Sequence, residues 1–323
     1  MVIVTRSQIM IKQKVFMGVD VSKDKLDIAL DGKCYEIANT EKAISTFIKK
    51  KRLNGDCPSL VVFESTGGYE KCLRKQLHHF GIETHTGHPN RVKAYGTVQG
   101  HYAKTDRLDA LLIEAYAKHI SPDARIDIPM TKAQEELSEL RSLERSLADD
   151  LHAMKCRSDH MKSAISQEHS QTYIAAIVNH LTHVREAIKE IISSDKTMME
   201  HKRIMMSMTG VGEVTANVLL CDLPELGKLT KPEIASLTGL APKTCMSGKK
   251  TWSAHIRGGR FYIRKALYMA AMSAHRFNPR LVVVYNRLRE AGKPFKVAIV
   301  AIMRKIIVML NAMIRKKQLC VDF

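Results

Sequence analysis

Four acidic residues carry the first chemical reading of this sequence. Asp20 lies near the end of the apolar run VFMGVDV, Glu64 ends the run LVVFE, and Asp106 and Asp109 stand three apart in KTDRLDALLIEAY. On a helix that spacing projects both carboxylates from one face. Carboxylates gathered at strand ends and on an adjoining helix repel one another unless a cation lies among them, and hard oxygen donors select Mg2+ or Mn2+. Two such ions can clamp the attacking and the leaving oxygen of a phosphodiester. Taken singly, each acid has an ordinary structural reading. Asp20 serves as a turn residue, Glu64 as a solvated strand end, Asp106 as a helix N-cap and Asp109 as a partner of the helix dipole. The order strand-Asp, strand-Glu, helix-Asp-x-x-Asp within one α/β region favours the joint reading.

A second candidate is Ser247 in GLAPKTCMSGKKTWSAHIRGGRFYIRKAL, flanked by Lys243, Lys249 and Lys250 and followed by Arg257, Arg260 and Arg264. A serine hydroxyl in an electropositive setting could attack a phosphodiester. Ser-Gly is also a common turn dipeptide, and on local chemistry alone that reading leads. The turn Gly210-Val211-Gly212 separates two apolar helical segments, the pattern of a helix-hairpin-helix element. Its turn amides and following helix N-terminus would bind a DNA phosphate without reading sequence; an ordinary helical turn fits the spacing equally well.

The elements that must position these residues are legible in outline. VFMGVDV, KLDIALD and KCYEIAN read as three short strands, with Asp31-Gly32 as a tight hairpin turn. A helix over residues 41–53, a buried strand over 60–64, a helix over 68–80 and a strand over 82–86 follow, then helices near 90–98 and 106–119. This is the order expected of a ribonuclease-H-like, RuvC-like α/β domain with helices on both faces of one mixed sheet. A doubly wound nucleotide-binding fold is the alternative, weakened because no Gly-rich phosphate loop follows the first strand.

From Thr131 apolar residues recur at heptad spacing: Leu137, Leu140, Leu147, Leu151, Met154, Met161 and Ile165, interrupted by Glu144 and Ser158. After the polar run SQEHSQ a second series comprises Ile174, Ile177, Leu181, Val184, Ile188 and Ile191. An antiparallel coiled-coil hairpin is expected, with a plain helical bundle as the alternative. A mainly helical C-terminal part follows, with a helix starting at Thr230 and ending at Gly239. The expected domains are 1–128, 129–200 and 201–323.

Composition narrows the function class. The 323 residues are 45% hydrophobic with 9 prolines, too apolar for a disordered chain. The net charge is +18, and residues 240–323 hold 18 Lys/Arg against Glu290 and Asp322. So concentrated an excess points to a polyanion, nucleic acid before an anionic membrane surface. Seven scattered cysteines form no CxxC pair, which suits a reduced, cytoplasmic protein. The N-terminal MVIVTRSQIMIKQK lacks the apolar core of a signal peptide, and the apolar stretch 297–310 is split by Arg304 and Lys305, so no membrane partner is expected.

The blocks GVDVSKDKLDIAL, ESTGGYE, KTDRLDA and SLTGLAPKTCMSGKKTWSAHIRGGRFYIRKALYMAA, in this order, resemble the DEDD transposases of bacterial insertion-sequence family 110, which include a pilin-gene invertase. The resemblance runs from about residue 15 to about residue 320. It implies a RuvC-like N-terminal domain, a coiled-coil insertion and a C-terminal transposase domain. It further implies a metal-binding tetrad at Asp20, Glu64, Asp106 and Asp109 and a nucleophilic serine at Ser247. The expected activity is Mg2+-dependent strand exchange through a covalent phosphoserine, in an active site composed from two protomers. The expected partners are donor and target DNA, a structured non-coding (bridge) RNA as guide, and further copies of the chain in a dimer or tetramer. A bacterial cytoplasmic, nucleoid-associated location goes with them. Alternatives are a RuvC-like structure-specific nuclease, a DNA invertase acting without guide RNA, and a non-catalytic nucleic-acid scaffold.

Overall fold

A computed structural model of the chain describes residues 14–100, 105–243 and 255–320, and the backbone of 246–247 and 250–251. Two compact units meet at the Pro129–Met130 bond.

The first unit is built on a five-stranded sheet. The strands β1 (Phe16–Val21), β2 (Lys25–Leu30) and β3 (Lys33–Ala38) form an antiparallel meander, and β4 (Leu60–Glu64) and β5 (Glu83–Gly87) add in parallel, in the order β3-β2-β1-β4-β5. The β2–β3 turn is set by Asp31 and Gly32, with φ of 50° and 72°, the two left-handed residues a tight hairpin requires. Helices α1 (Glu41–Leu53) and α2 (Glu70–His79) cover one face, and α3 (Pro89–Val98) and α4 (Asp106–Ile120) belong to the other.

Period-two alternation divides the side chains between these faces. Met17, Val19, Leu26, Ile28, Val61 and Phe63 pack with Ile44, Ile48, Leu73 and Leu77 on the α1/α2 side. Phe16, Leu60 and Val62 pack with Val92, Ile113, Tyr116 and Ala117 on the other. Gly18 lies on that second face, where a Cβ would run into the α4 backbone at Ala110 and Glu114. A glycine is required there because the helix axis passes against the strand itself. Glu114, 2% exposed, fixes the same helix by accepting the Gly32 amide at 3.2 Å and pairing with Lys118 at 2.7 Å.

The second unit begins with a two-helix antiparallel hairpin, α5 (Lys132–Ser158) and α6 (Ala164–Ser194). Leu137 packs with Val184, Ile188 and Ile192. Both interruptions of the heptad series are polar pairs between the two helices. Glu144 pairs with Arg141 of its own helix and with Arg185 Nε of α6 at 2.8 Å, and Ser170 Oγ donates to Ser158 Oγ at 2.7 Å. The turn lies at 159–163, earlier than the heptads suggest. Met161 and Ile165 therefore fall outside the first helix, and SQEHSQ belongs to α6. Ile165 is 69% exposed, and the polar run costs the helix little because it faces water except at Ser170, which is buried and bonded to Ser158.

The remainder is a helical bundle with a small β excursion. It contains α7 (Lys196–Met206), α8 (Glu213–Asp222), α9 (Lys231–Leu237), the two-residue strands β6 (Pro242–Lys243), β7 (Met246–Ser247), β8 (Lys250–Thr251) and β9 (His255–Ile256), then α10 (Phe261–Phe277), α11 (Pro279–Glu290) and α12 (Phe295–Lys316). By length and composition α12 could cross a membrane, with a mean hydropathy of 2.1. Here Ile299, Ile302, Ile306, Ile307, Leu310 and Met313 fill the bundle core, so its apolarity is that of a core helix.

Gly18→Ala tests the contact on which α4 rests. The new methyl meets backbone, so the helix must lift, and stability should fall toward the upper end of the roughly 1–3 kcal/mol typical of overpacking, or beyond it. A urea or thermal melt indistinguishable from wild type would refute the close approach.

Candidate active site at the ends of β1 and β4

The acidic residues reach one place by register. On β1, Asp20 lies two residues beyond Gly18, on the same face and about 6.6 Å further along. On α4, Asp106 lies one turn before Ala110, about 6 Å back along the axis. Because Gly18 meets α4 at Ala110 and Glu114, these steps bring the helix start over the strand end. The parallel β1–β4 register pairs Gly18 with Val62 and Val19 with Phe63, so Glu64 follows beside Asp20 at the same end of the sheet. Thr105, rather than Asp106, is the N-cap of α4, accepting the Leu108 amide at 3.3 Å; Asp106 and Asp109 both lie in the first turn. Of the sequence-predicted tetrad, Asp20, Asp106 and Asp109 interact electrostatically, and Glu64 stands on the neighbouring strand.

Two residues that sequence reasoning missed complete the picture. Asp27 stands directly opposite Asp20 in the antiparallel ladder, where like charges disfavour each other. Lys25 on the same strand places its ammonium 3.0 Å from Asp106 Oδ2, 3.1 Å from Asp27 Oδ2 and 3.4 Å from Glu36 Oε2. Alternation in KLDIAL was the available signal, since it puts Lys25 and Asp27 on the face opposite Leu26 and Ile28.

Burial raises the Asp20 carboxyl above its ordinary range; Asp109, Asp106 and Asp27 push it further, and a hydrogen bond from the Val21 amide opposes them without prevailing. The ammonium of Lys25 is held above its ordinary value chiefly by Asp106 and next by Asp27. Beyond Glu64, the ESTGG loop is gathered by Glu70, which accepts from the Gly68 amide at 2.9 Å, the Thr66 hydroxyl at 3.0 Å and the Thr66 amide at 3.2 Å. Burial raises the Glu70 carboxyl, but these hydrogen bonds outweigh it and the net shift is downward.

Among the described residues no three His, Cys, Asp or Glu side chains are gathered tightly enough to form a ready metal cluster. The donor chemistry nevertheless fits a hard divalent cation. All four tetrad members offer oxygen, the crowding already penalises ionisation of Asp20, and a cation, the Lys25 ammonium, is lodged against Asp106.

In the second unit the short strands nest. β6 pairs with β9 (Pro242 with Ile256, Lys243 with His255) and β7 with β8 (Met246 with Thr251, Ser247 with Lys250). Ser247 therefore lies in the two-rung β7–β8 ladder of a narrow ribbon. Lys249 lies outside the described residues, and Lys250 is described in backbone only. The ribbon's base is pinned where Gly239, φ 69°, touches Gly258 and Gly259 so closely that a Cβ on either side would strike backbone. Arg264 donates to the Gly258 carbonyl. Arg260 forms a bidentate pair with Glu225 at 2.6 and 2.7 Å and donates to the Asp222 carbonyl, so its guanidinium anchors the bundle. Lys243 and Arg257 are exposed. Gly210, φ 103°, packs against Ala274, while Gly212 is the N-cap of α8 with open space around it.

Residues 17–165 match the model of the DEDD transposases of IS110, described as Transposase, and residues 202–286 match the model described as Transposase IS116/IS110/IS902 family. The two matches follow one another and together cover more than half of the chain. The chain belongs to the IS110 family of transposases. Like its family, this transposase is an enzyme that cleaves and rejoins DNA. Its relatives include the pilin gene-inverting proteins of Moraxella bovis and Moraxella lacunata, each 24% identical over 94% of this chain and 97% of the relative. A 43.6 kDa protein of insertion element IS110 from Streptomyces coelicolor is 30% identical over 44% of this chain and 36% of its own length. Among solved structures, Thermus thermophilus RuvC in complex with a Holliday junction substrate matches 35% of this chain and 99% of its own, with 12% identity and a TM-score of 0.26.

The Asp20 shift has a measurable sign. A carboxyl raised in the folded state contributes stability below its unfolded value and loses it as pH rises through the folded value. At neutral pH the ionised Asp20 of the metal-free transposase thus weighs against folding. Asp20→Asn should melt above wild type in EDTA at pH 7.5, with the gap closing toward pH 4, and should lose metal-dependent cleavage by at least about 100-fold, since even residues that only support a metal ligand cost 10–100-fold. A variant that melts lower than wild type at neutral pH would contradict the assignment.

Proposed function

We propose that this transposase moves or rearranges its DNA element by Mg2+-dependent strand exchange through a phosphoserine at Ser247. Mn2+ would substitute. The observation that carries this reading is the convergence of β1, β4 and α4, which brings Asp20, Glu64, Asp106 and Asp109 to one end of one sheet. The strand order β3-β2-β1-β4-β5, with β2 antiparallel, supports a ribonuclease-H-like, RuvC-like domain.

On this reading the four carboxylates hold the divalent ions, which when bound would neutralise the scissile phosphate and polarise its oxygens. The Ser247 hydroxyl attacks phosphorus and displaces a deoxyribose oxygen. That oxygen, or one from another strand, later attacks the phosphoserine and restores the hydroxyl, so the bond energy is conserved without a nucleotide cofactor. Lys243, Lys249, Lys250, Arg257 and Arg264 face the phosphate backbone, and Arg260 serves them by fixing the ribbon's base. The α7–turn–α8 element would act as a helix-hairpin-helix, offering the Gly212 end of α8 to a further phosphate. Gly210 secures that turn against α10.

The basic charge of residues 240–323 is the support for nucleic-acid partners: donor and target DNA, and a structured non-coding guide RNA whose base pairing would read sequence while the protein holds backbones. We further propose a homo-oligomer, dimer to tetramer, with shared active sites, working at the bacterial nucleoid. The two Moraxella relatives, named for pilin gene inversion and matched over nearly their whole length, favour inversion as the second reading of the biological outcome.

The test incubates wild type, Ser247→Ala and Asp20→Ala with DNA bearing the element's ends, RNA transcribed from its non-coding flank, and Mg2+, followed by denaturing electrophoresis. Wild type should yield DNA covalently attached to protein; neither variant should. Cleavage that survives Ser247→Ala would make the enzyme a water-using nuclease, reaction without RNA would make it an unguided invertase, and binding with no cleavage in any form would leave a scaffold.

A further inference from the structure

We propose that the Lys25 ammonium is an exchangeable counter-ion of the carboxylate site: it bridges Asp106 and Asp27 in the metal-free protein and withdraws onto Asp27 and Glu36 when a divalent cation takes Asp106. The inference rests on the metal reading above and adds a device to it.

The geometry supplies both ends of the exchange. One ammonium has three N–H donors, and three carboxylates from three elements meet it: Asp106 of α4 at 3.0 Å, Asp27 of β2 at 3.1 Å and Glu36 of β3 at 3.4 Å. Only Asp106 belongs to the tetrad. The other two face the same group from its own strand, β2, and from the neighbouring β3, so losing Asp106 leaves the ammonium paired rather than stranded. Asp27 is the sheltered seat, its side chain 14% exposed, whereas Glu36 is 66% and Asp106 61% exposed. The Lys25 side chain is itself 38% exposed on a four-carbon stem, and a compact ammonium of this kind can swing without disturbing the strand that carries it.

The need for such a group follows from the register. Asp27 is fixed opposite Asp20 by the β1–β2 ladder, and Asp106 and Asp109 add to the charge felt at Asp20. Without an internal cation the metal-free cluster would push α4 away from β1, the contact that Gly18 makes close. With one, the helix start is held over the sheet until the metal arrives. The same ion pair must break for a cation to coordinate the Asp106 oxygen that Lys25 touches, so Lys25 and the metal compete.

Competition gives a readout independent of catalysis. Mn2+ is titrated by calorimetry into metal-stripped wild type, Lys25→Met and Lys25→Gln, with Lys23→Met as a control for removing one nearby positive charge. Thermal melts in EDTA and in saturating Mn2+ accompany the titrations. Removing Lys25 should tighten Mn2+ binding about two- to fivefold, the scale of a part-exposed ion pair, and more than Lys23→Met does. Both Lys25 variants should melt below wild type in EDTA and gain more from Mn2+. Equal or weaker Mn2+ binding by both Lys25 variants, or a gain no greater than the control's, overturns the role of Lys25 while leaving the metal site intact. An absence of Mn2+ binding in every form, wild type included, overturns the metal reading and this inference with it.

Discussion

The passage of α4 against the backbone of β1 at Gly18 is the constraint from which the site follows. A strand rises about 3.3 Å per residue and a helix 1.5 Å, so one contact between them fixes where every later residue of each must fall. From Gly18 and Ala110, two steps along the strand and one turn back along the helix suffice to oppose Asp20 to the Asp106–Asp109 turn. Glu114 then locks the far end of the helix to the β2–β3 turn through the Gly32 amide. No loop adjustment is needed to bring the acids together, because the chemistry sits on regular elements whose spacing is set by packing.

That economy has an electrostatic cost. The cluster places Asp27, Asp106 and Asp109 within the influence of Asp20, and burial, the largest cause, raises the Asp20 carboxyl together with them. Folding in this region thus works against the charges it assembles, and the fold tolerates them through Lys25 and through the helix N-terminus, whose partial positive charge favours acids in the first turn of α4. The site is organised for a cation before any metal is considered.

Much of this was legible in the sequence, for identifiable reasons. The strands β1 to β3 announce themselves through alternation and the Asp31-Gly32 turn, β4 through its apolar run and α1 and α4 through helical periodicity, all short-range signals, whereas the cap of α4 was read one residue late, at Asp106 instead of Thr105. Asp20, Glu64, Asp106 and Asp109 drew notice in the sequence because they lie at or near the ends of such elements. Lys25 and Asp27 were overlooked because a charged residue on a strand normally means a solvated face, and only the tertiary approach of α4 turns that face inward. The hairpin turn was misplaced because heptad periodicity continues through Met161 and Ile165 although the helix does not. Glu144 and Ser158 looked like defects in the seam and are cross-helix pairs. Arg260, grouped by its charge with the nucleic-acid-binding residues, is held by Glu225, a partner 35 positions away that no local pattern reveals.

The ribbon that carries Ser247 is built on the opposite principle to the acidic site. Its base is fixed: Ile256 packs on the bundle core, Gly239 abuts Gly258 and Gly259, and Arg260 is clamped. Beyond it, among the described residues, the β6–β9 and β7–β8 ladders have two rungs each, and an isolated two-stranded ribbon is marginal on its own. On the proposed reading, a nucleophile on so short a ladder would take part of its positioning from whatever binds the lysines near it in sequence. If Ser247 attacks DNA as proposed, contact between Lys243, Lys249, Lys250 and the phosphate backbone would then help set the serine in place as well as hold the substrate. Binding energy spent in that way appears as rate rather than affinity, and it would confine the reactive arrangement to the complex in which a strand is present to be exchanged.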